Sequence, residues 1–131
     1  MQLIMIARKR LKALVLNDEP PFGKLITAMM EAVNWDCEVV ACPEKAVARL
    51  KATQFDLVIV DYRLPHLPQG NGLHFISCLR REEIILPAIL MSEDAEVLRT
   101  VPKDLLTIPA VLLKPFTASD LRIVLDAVYV S

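Results

Sequence analysis

The chain has 131 residues and a net charge of −1, and its composition is 54% hydrophobic but only 5% aromatic. This length fits one domain, and the composition supplies an aliphatic core that excludes general disorder. No long run of one charge sign is present, so the electrostatic footprint of nucleic-acid binding is missing and no nucleic-acid partner is expected for this chain. The most basic stretch is interpreted as a solvated entry segment: Arg8, Lys9, Arg10 and Lys12.

The amino terminus and the cysteines indicate an intracellular protein without a membrane span. Met1 to Ala7 is apolar, but it is too short to cross a membrane and precedes its basic residues, opposite to a signal peptide. The odd set Cys37, Cys42 and Cys78 lacks CxxC spacing and predicts small core residues in a reducing compartment. We therefore expect a cytoplasmic protein, with an extension over 1–10 and one domain over 11–131.

The first part of the chain predicts two strands, each followed by a helix. The apolar run Leu11–Leu16 predicts the first strand, which ends at Asn17-Asp18-Glu19. Pro20 and Pro21 suit the first turn of a helix, where the N–H groups have no partner. Helical spacing then predicts one inward set of side chains: Phe22, Leu25, Ile26, Met29 and Val33. The pattern repeats with a strand over Cys37–Cys42 and a helix from Pro43, with these residues inward: Ala46, Val47 and Leu50.

The second part predicts three more strands and three helices. Leu57–Val60 is an apolar run that stops at Asp61, and a loop rich in proline and glycine leads to a helix with Leu73, Ile76 and Leu79 inward. Ile85–Met91 is the fourth run and ends at Ser92. Glu93 and Asp94 then favour a helix start, and Pro102 keeps that helix short. Ala110–Leu113 ends at Lys114-Pro115. Thr117 and Asp120 have capping-box spacing before a last helix with these inward residues: Leu121, Val124, Leu125 and Val128.

Polar side chains follow four of the five predicted strands. Apolar runs with little alternation, separated by helices, predict a parallel α/β sheet, whose ligand site lies at the carboxyl ends of the strands. Those ends have Asp18, Asp61, Ser92 and Lys114. Two carboxylates suit Mg²⁺, the hydroxyl and the ammonium suit phosphoryl oxygens, and a carboxylate can form an aspartyl-phosphate. Each residue alone is a common turn or cap residue, but together they predict that Asp61 accepts a phosphoryl group.

Over about Lys12 to Val130 the chain resembles the receiver domain of two-component response regulators. Four segments carry the resemblance: Leu14–Pro20, Asp56–Pro65, Ile89–Ser92 and Leu113–Phe116. The resemblance implies a doubly wound, flavodoxin-like sheet of five parallel strands in the order 2-1-3-4-5, with helices on both faces. It also implies that Asp61 is the phosphoacceptor, that Asp18 and Asp61 bind Mg²⁺ with the backbone carbonyl of Arg63, that Ser92 is the switch hydroxyl, and that Lys114 contacts the phosphoryl group. A cis peptide bond before Pro115 is implied as well.

Three residues depart from the family pattern. Asn17 stands where a second acid is usual; it can hold a metal-bound water, with weaker Mg²⁺ affinity expected. Glu93 replaces a very small residue and either crowds the phosphoryl donor or points into solvent. Val111 replaces the aromatic that moves with the switch hydroxyl, and valine offers no comparable rotamer change. The loop after Asp61 is also longer than usual, and its neighbours His66 and His74 are interpreted as surface residues.

The leading functional hypothesis is a phosphorylation-dependent switch. A histidine kinase or phosphotransfer protein would phosphorylate Asp61 and thereby reshape the face of the fourth helix, fifth strand and fifth helix, with the chain catalysing at most its own phosphorylation and dephosphorylation. Ile123, Ala127 and Val130 suggest a partner or homodimer surface on that face. Two alternatives stay open: a pseudo-receiver that binds proteins without phosphotransfer, and a hydrolase, which lacks a clear general acid near Asp61. The chain is either a stand-alone receiver or part of a longer regulator.

Overall fold

Strands and helices alternate along the chain, as the sequence predicts. The computed structural model describes residues 10–64, 71–100 and 110–129. Within these ranges the elements, in chain order, are β1 (Lys12–Leu16), α1 (Pro20–Ala32), β2 (Asp36–Val40), α2 (Pro43–Ala52), β3 (Leu57–Asp61), α3 (Gly72–Arg81), β4 (Ala88–Ser92), α4 (Val97–Thr100), β5 (Ala110–Leu113) and α5 (Ala118–Val128).

The five strands form one parallel sheet in the order β2-β1-β3-β4-β5. This is the doubly wound, flavodoxin-like topology that the resemblance implies. The strand order reverses between β1 and β3, which are neighbours in the sheet, and a crevice at such a point is the usual ligand site. In the sheet register, Leu16 lies opposite Val60 and Asp61 lies opposite Met91. The polar residues at these strand ends therefore meet at one edge.

The core has two layers because successive strand residues point to opposite faces of the sheet. On one face, α2 and α3 cover a layer that includes Leu14, Leu16, Val58, Val60 and Leu90. On the other face, α1 and α5 cover a layer that includes Ala13, Val15, Leu57, Ile59 and Met91. Both layers are mainly aliphatic, with two buried aromatic residues in each. All residues of β3 and β4 are buried, which explains why these strands are read as uninterrupted apolar runs.

The inward face of α1 was predicted partly wrongly. Leu25 was expected in the core but is 50% exposed, whereas Met30 is fully buried. Ile26 and Met30 are four residues apart and share the face that packs on the sheet, while Leu25 lies about 100° away around the helix. Val33 lies beyond the last helical residue and is only half-buried. An apolar side chain therefore remains on the outer surface of α1.

Several predicted boundaries were also wrong. The fourth strand begins at Ala88 instead of Ile85, which is 65% exposed; Pro87 has no N–H to donate to a sheet. The second strand ends at Val40, and Cys42 already occupies the N-cap position of α2. The short fourth helix begins at Val97 rather than at Glu93, because a turn centred on Asp94 precedes it.

The cysteines lie less deep than predicted. All three are free and half-buried rather than fully in the core. Cys37 donates to the Thr27 hydroxyl at 3.5 Å, and burial raises the pKa of its thiol. At the last helix, the predicted capping box is confirmed. The Thr117 side chain accepts from the Asp120 N–H at 3.0 Å, and the Asp120 carboxylate accepts from the Thr117 N–H at 2.9 Å.

Two remaining expectations concern the whole chain. Over the described ranges, no helix has the length and apolarity needed to cross a membrane. The division into an extension over 1–10 and a domain over 11–131 stays a prediction, since residues 1–9 lie outside the described part.

Candidate functional site

Asp61 is the last residue of β3 and lies at the carboxyl edge of the sheet. It is only 5% exposed. Backbone hydrogen bonds hold the chain on its carboxyl side: the Tyr62 N–H donates to the Met91 carbonyl oxygen at 2.7 Å, and the Gly72 N–H donates to the Tyr62 carbonyl oxygen at 2.8 Å. The position of the Asp61 carboxylate is therefore set by β4 on one side and by the start of α3 on the other.

Gly72, the first residue of α3, approaches the backbone of Asp61 very closely. A Cβ atom at this position would lie 2.3 Å from the Asp61 carbonyl oxygen, so no other residue fits without a shift of the helix. Asn71 caps the helix by accepting hydrogen bonds from the Leu73 and His74 N–H groups. The sequence indicated only a loop glycine here, because the close approach depends on how α3 packs.

Lys114 reaches Asp61 from the end of β5, as its position in the sequence predicts. Its Nζ atom lies 2.8 Å from Asp61 Oδ2, and the two side chains are only 12% and 7% exposed. The Lys114–Pro115 peptide bond is cis, which confirms the expectation from the resemblance. The Lys114 N–H donates to the Ser92 carbonyl oxygen at 2.7 Å. The backbone hydrogen bond to Ser92 and the ion pair with Asp61 thus hold the ammonium group beside the carboxylate.

Phe22 is a site residue that sequence reasoning missed. It was predicted only as part of the inward face of α1, yet its ring centroid lies 4.2 Å from Lys114 Nζ. That distance is within the range of a cation–π contact. Phe22 also meets Phe116 edge-on, with 6.1 Å between ring centroids. The sequence contains one indication of this role: Phe22 lies near the start of the helix that follows the polar end of β1.

Asn17 contacts Asp61 directly. Its side-chain Nδ2 donates to Asp61 Oδ2 at 2.7 Å, and its Oδ1 accepts from the Glu19 N–H at 2.8 Å. The Asn17 backbone N–H donates to the Val40 carbonyl oxygen at 3.0 Å, and the residue is 2% exposed. The sequence predicted that Asn17 contacts the metal through a bound water, which the structure does not test. The structure shows instead that the Asn17 amide and Lys114 both donate to the same carboxylate oxygen.

Ser92 is buried at the end of β4, next to β3, but its hydroxyl faces the following turn. The hydroxyl accepts a hydrogen bond from the Asp94 N–H at 3.0 Å and donates one to the Asp94 carbonyl oxygen at 3.2 Å. The residue is 4% exposed. The fold therefore places Ser92 at the predicted edge, while its hydroxyl bonds join it to the turn that leads to α4.

The donor set predicted for a divalent cation consists of oxygen atoms. Asp18 is half-buried just after β1, Asp61 ends β3, and the backbone carbonyl of Arg63 follows two residues later. Within residues 10–64, 71–100 and 110–129, no group of three or more His, Cys, Asp or Glu side chains could hold a metal. Two carboxylates and a carbonyl are nevertheless the type of ligand that Mg²⁺ takes, since it usually keeps several waters and few protein ligands.

Among the described residues, the remaining candidates are Glu93, Val111 and His74, and none of them has a hydrogen bond to Asp61. Glu93 is exposed and lines a groove of about 390 Å³, together with Lys114, Pro115, Phe116 and apolar residues of α1 that include Phe22 and Leu25. Val111 is half-buried against the layer that α3 covers. His74 is on the exposed face of α3, as predicted, and its Nε2 lies 3.5 Å from Cys78 Sγ. His66 lies outside the described residues.

The fold and site define a class: a doubly wound α/β domain with a buried, lysine-paired aspartate at the carboxyl edge. The chain matches the response regulator receiver domain family over residues 13–126. It is 31% identical over 123 residues to the two-component response regulator ORR26 of Oryza sativa subsp. japonica. The aligned region covers 91% of this chain and 20% of that protein. The chain therefore belongs to the response regulator receiver domain family of two-component signalling.

Solved structures show the same fold. The chemotaxis response regulator CheY4 of Vibrio cholerae superposes with a TM-score of 0.79 at 19% identity, over 92% of this chain and 100% of that one. The receiver domain of the sensor histidine kinase PA1611 of Pseudomonas aeruginosa superposes with a TM-score of 0.76 at 23% identity, over 92% and 98% of the two chains. That structure is described as having a magnesium ion coordinated in its active-site cleft. The present chain spans 20%, 42% and 22% of the first three curated relatives that it matches.

Proposed function

We propose that Asp61 is the phosphoacceptor of this receiver domain and that its donor is a histidine kinase or a histidine phosphotransfer protein. The observation that carries the proposal is the buried Asp61 carboxylate at the switch point of the sheet, bonded by Lys114 at 2.8 Å. Receiver domains are phosphorylated by such donors, and we expect the reaction to take place in the cytoplasm. The chain would catalyse its own phosphorylation and dephosphorylation rather than the turnover of a separate substrate.

The chemistry is a transfer of one phosphoryl group. A carboxylate oxygen of Asp61 forms a bond to phosphorus, the P–N bond of the phosphohistidine breaks, and its electron pair returns to the imidazole nitrogen, which takes up a proton. Lys114 offsets the charge on the phosphoryl oxygens. Asp18, Asp61 and the Arg63 carbonyl would hold Mg²⁺, which supplies further charge neutralisation when bound.

Ser92 is the proposed switch hydroxyl. Its two hydrogen bonds to Asp94 hold the turn before α4. If the hydroxyl rotates to donate to a phosphoryl oxygen, the turn loses both bonds and α4 is free to shift. Because Val111 replaces the usual aromatic, we expect the signal to pass through this turn rather than through a rotating ring.

The proposed output surface is formed by α4, β5 and α5. Leu113 on β5 is 41% exposed, Ile123 on α5 is 65% exposed, and Ala127 is also exposed. These apolar side chains suit a protein partner or a second copy of the chain. Val130, which was predicted to extend this surface, lies outside the described residues.

Phosphorylation can be tested with a small donor. The protein is incubated with acetyl phosphate and Mg²⁺, and its intact mass is measured for the wild type, for Asp61→Asn and for Asp126→Asn, an exposed aspartate on α5. We expect one added phosphoryl group in the wild type and in Asp126→Asn, and none in Asp61→Asn. A wild type that is never modified by acetyl phosphate or by a phosphorylated kinase would favour the pseudo-receiver, an interaction module without phosphotransfer. The comparisons give the pseudo-receiver alternative no support.

A further inference from the structure

We propose that Asn17 is a positioning residue that holds the Asp61 carboxylate in place without a metal ion. This inference rests on the proposed role of Asp61 and concerns how the site is assembled before Mg²⁺ and donor arrive. It predicts that the fold and the acceptor geometry of this chain are independent of Mg²⁺, whereas an acid at position 17 would make them dependent on it.

The orientation of the Asn17 amide follows from its contacts. The Glu19 N–H is a donor, so the Asn17 atom that lies 2.8 Å from it must be the oxygen. The amide nitrogen is then the atom that faces Asp61 Oδ2 at 2.7 Å. A flipped amide would place two donors against each other at Glu19 and two acceptors against each other at Asp61. The hydrogen-bond pattern therefore permits only one assignment.

The backbone of Asn17 is also fixed. Its N–H donates to the Val40 carbonyl oxygen at the end of β2, and its neighbour Leu16 pairs with Val60 of β3. The side chain is buried, so it has no alternative partner in solvent. Asn17 thus acts as a rigid donor between the end of β1 and the end of β3.

Charge explains why an amide differs from an acid here. Asp61 is bonded by one ammonium group, Lys114, and by the neutral Asn17 amide, and both bonds end on Oδ2. A carboxylate at position 17 would place a second anionic oxygen near 2.7 Å from the first, at a site where both residues are at most 5% exposed. Like charges at such a distance are costly without a cation between them. Asn17 removes that cost and adds a hydrogen bond in its place.

A divalent cation should bind more weakly to this site than to a site with an acid at position 17. Among the predicted ligands, two are carboxylates, Asp18 and Asp61, because residue 17 is an amide, and ligand charge is a main determinant of cation affinity. A cation that coordinates Asp61 Oδ2 would also have to displace one of two donors. The structure therefore predicts a site that is ordered in the absence of Mg²⁺ and that binds Mg²⁺ weakly.

The test compares thermal stability across a Mg²⁺ titration that starts in a chelator. The variants are Asn17→Asp, which replaces the amide by a carboxylate of the same shape, and Gln54→Glu, which makes the same chemical change at an exposed position at the amino end of β3. We expect the midpoint temperature of the wild type and of Gln54→Glu to change little with Mg²⁺. Asn17→Asp should be less stable in chelator, should recover with Mg²⁺, and should bind Mg²⁺ on the order of tenfold more tightly by calorimetry.

The proposal is overturned if Mg²⁺ raises the midpoint temperature of the wild type as much as that of Asn17→Asp. It is also overturned if Asn17→Asp is as stable as the wild type in chelator. A measurement on the folded wild type covers the case in which Asn17→Asp does not fold at all. In Mg²⁺-free protein, the side-chain amide protons of Asn17 should exchange slowly and shift in Asp61→Ala; signals like those of exposed asparagines would contradict the contact. Acetyl phosphate labelling of the same samples reports separately on the acceptor role of Asp61.

Discussion

At the scale of single residues, Asp61 is surrounded by groups from distant parts of the chain. The sequence predicted Lys114 at this edge, because lysine follows an apolar run at a strand end. It did not predict that Asn17 donates directly to Asp61, since an amide pointing at a carboxylate is visible only when both strand ends are placed. It missed the contact between Phe22 and Lys114 for the same reason. Residue types indicated the chemistry of the site, while side-chain contacts required the fold.

Gly72 offers a sharp test of the packing around Asp61. Gly72→Ala places a Cβ atom against the Asp61 carbonyl oxygen, a contact with backbone that cannot yield as a side chain can. We expect a loss of about 2 kcal/mol or more in the free energy of unfolding, measured with urea, and slower acetyl phosphate labelling.

Gly23→Ala is the matched control for this variant. Gly23 lies inside α1, and its added Cβ would lie 3.3 Å from Val39 Cγ1, the end of a side chain that can shift. The helix propensity of alanine offsets part of that contact, so we expect a change of under about 1 kcal/mol. An equal loss of stability in the two variants would contradict the close approach at Gly72.

At the scale of elements, the strands were predicted best where both faces are buried. β3 and β4 are apolar up to their last residues, Asp61 and Ser92, because helices cover both sides, and these runs predict strands without any knowledge of the fold. The prediction was poorer at surfaces. Ile85 is apolar yet exposed, and Leu25 faces solvent on α1, because a side chain's type does not determine which way its element packs. The sequence did not predict the turn between Ser92 and α4 for a similar reason, since the Ser92 hydroxyl could form hydrogen bonds either with the turn or with the site.

That turn carries an element-scale prediction. Ser92→Ala removes both side-chain hydrogen bonds to Asp94 but leaves Asp61 and Lys114 in place. We expect the variant to be labelled by acetyl phosphate, while hydrogen exchange over residues 94–100 is already fast and changes little on phosphorylation. In the wild type, exchange in this segment should rise when Asp61 is phosphorylated. Equal changes in both proteins would exclude Ser92 as the switch.

A second element-scale prediction concerns the ion pair between β2 and α2. The Arg49 guanidinium bonds the Glu38 carboxylate at 2.6 and 3.0 Å, which lowers the pKa of Glu38. Because the folded pKa lies below the unfolded value of about 4.3, the pair stabilises the fold above that pH and loses its effect as pH falls through the folded pKa. The pair is near the surface, so the effect is modest.

Thermal unfolding can measure this effect. Glu38→Gln should lower the midpoint temperature slightly at pH 7, and the difference from the wild type should vanish in strong acid, where Glu38 is protonated. A difference that is the same at both pH values would show that charge plays no part in it. The exposed variant Glu44→Gln, on the first turn of α2, serves as a control for an acid-to-amide substitution outside this ion pair.

At the scale of the whole molecule, the sequence patterns predict a parallel α/β sheet but not its strand order. The order β2-β1-β3-β4-β5 followed from the resemblance to receiver domains, because many arrangements satisfy the same pattern of apolar runs. The site at the carboxyl edge depends on that order, since only adjacent β1 and β3 bring Asn17 to Asp61. Pattern and topology together therefore account for the location of the site.

The output surface is a property of the whole molecule as well. Ile123→Lys places a charge in the proposed apolar surface of β5 and α5, whereas Leu25→Lys places one on the outer face of α1. With beryllofluoride and Mg²⁺, we expect the wild type and Leu25→Lys to dimerise and Ile123→Lys to remain monomeric in light scattering. A wild type that stays monomeric at high concentration would exclude the homodimer, and dimers of Ile123→Lys would place the contact elsewhere.

The acceptor role of Asp61 is the central claim, and its most direct test identifies the modified residue chemically. The protein is phosphorylated by acetyl phosphate, treated with borohydride, which reduces an acyl phosphate to an alcohol, and digested for mass spectrometry. The account predicts homoserine at position 61 and nowhere else, and only when the donor was present. Homoserine at another aspartate, or none in a sample that carries phosphate, would contradict it.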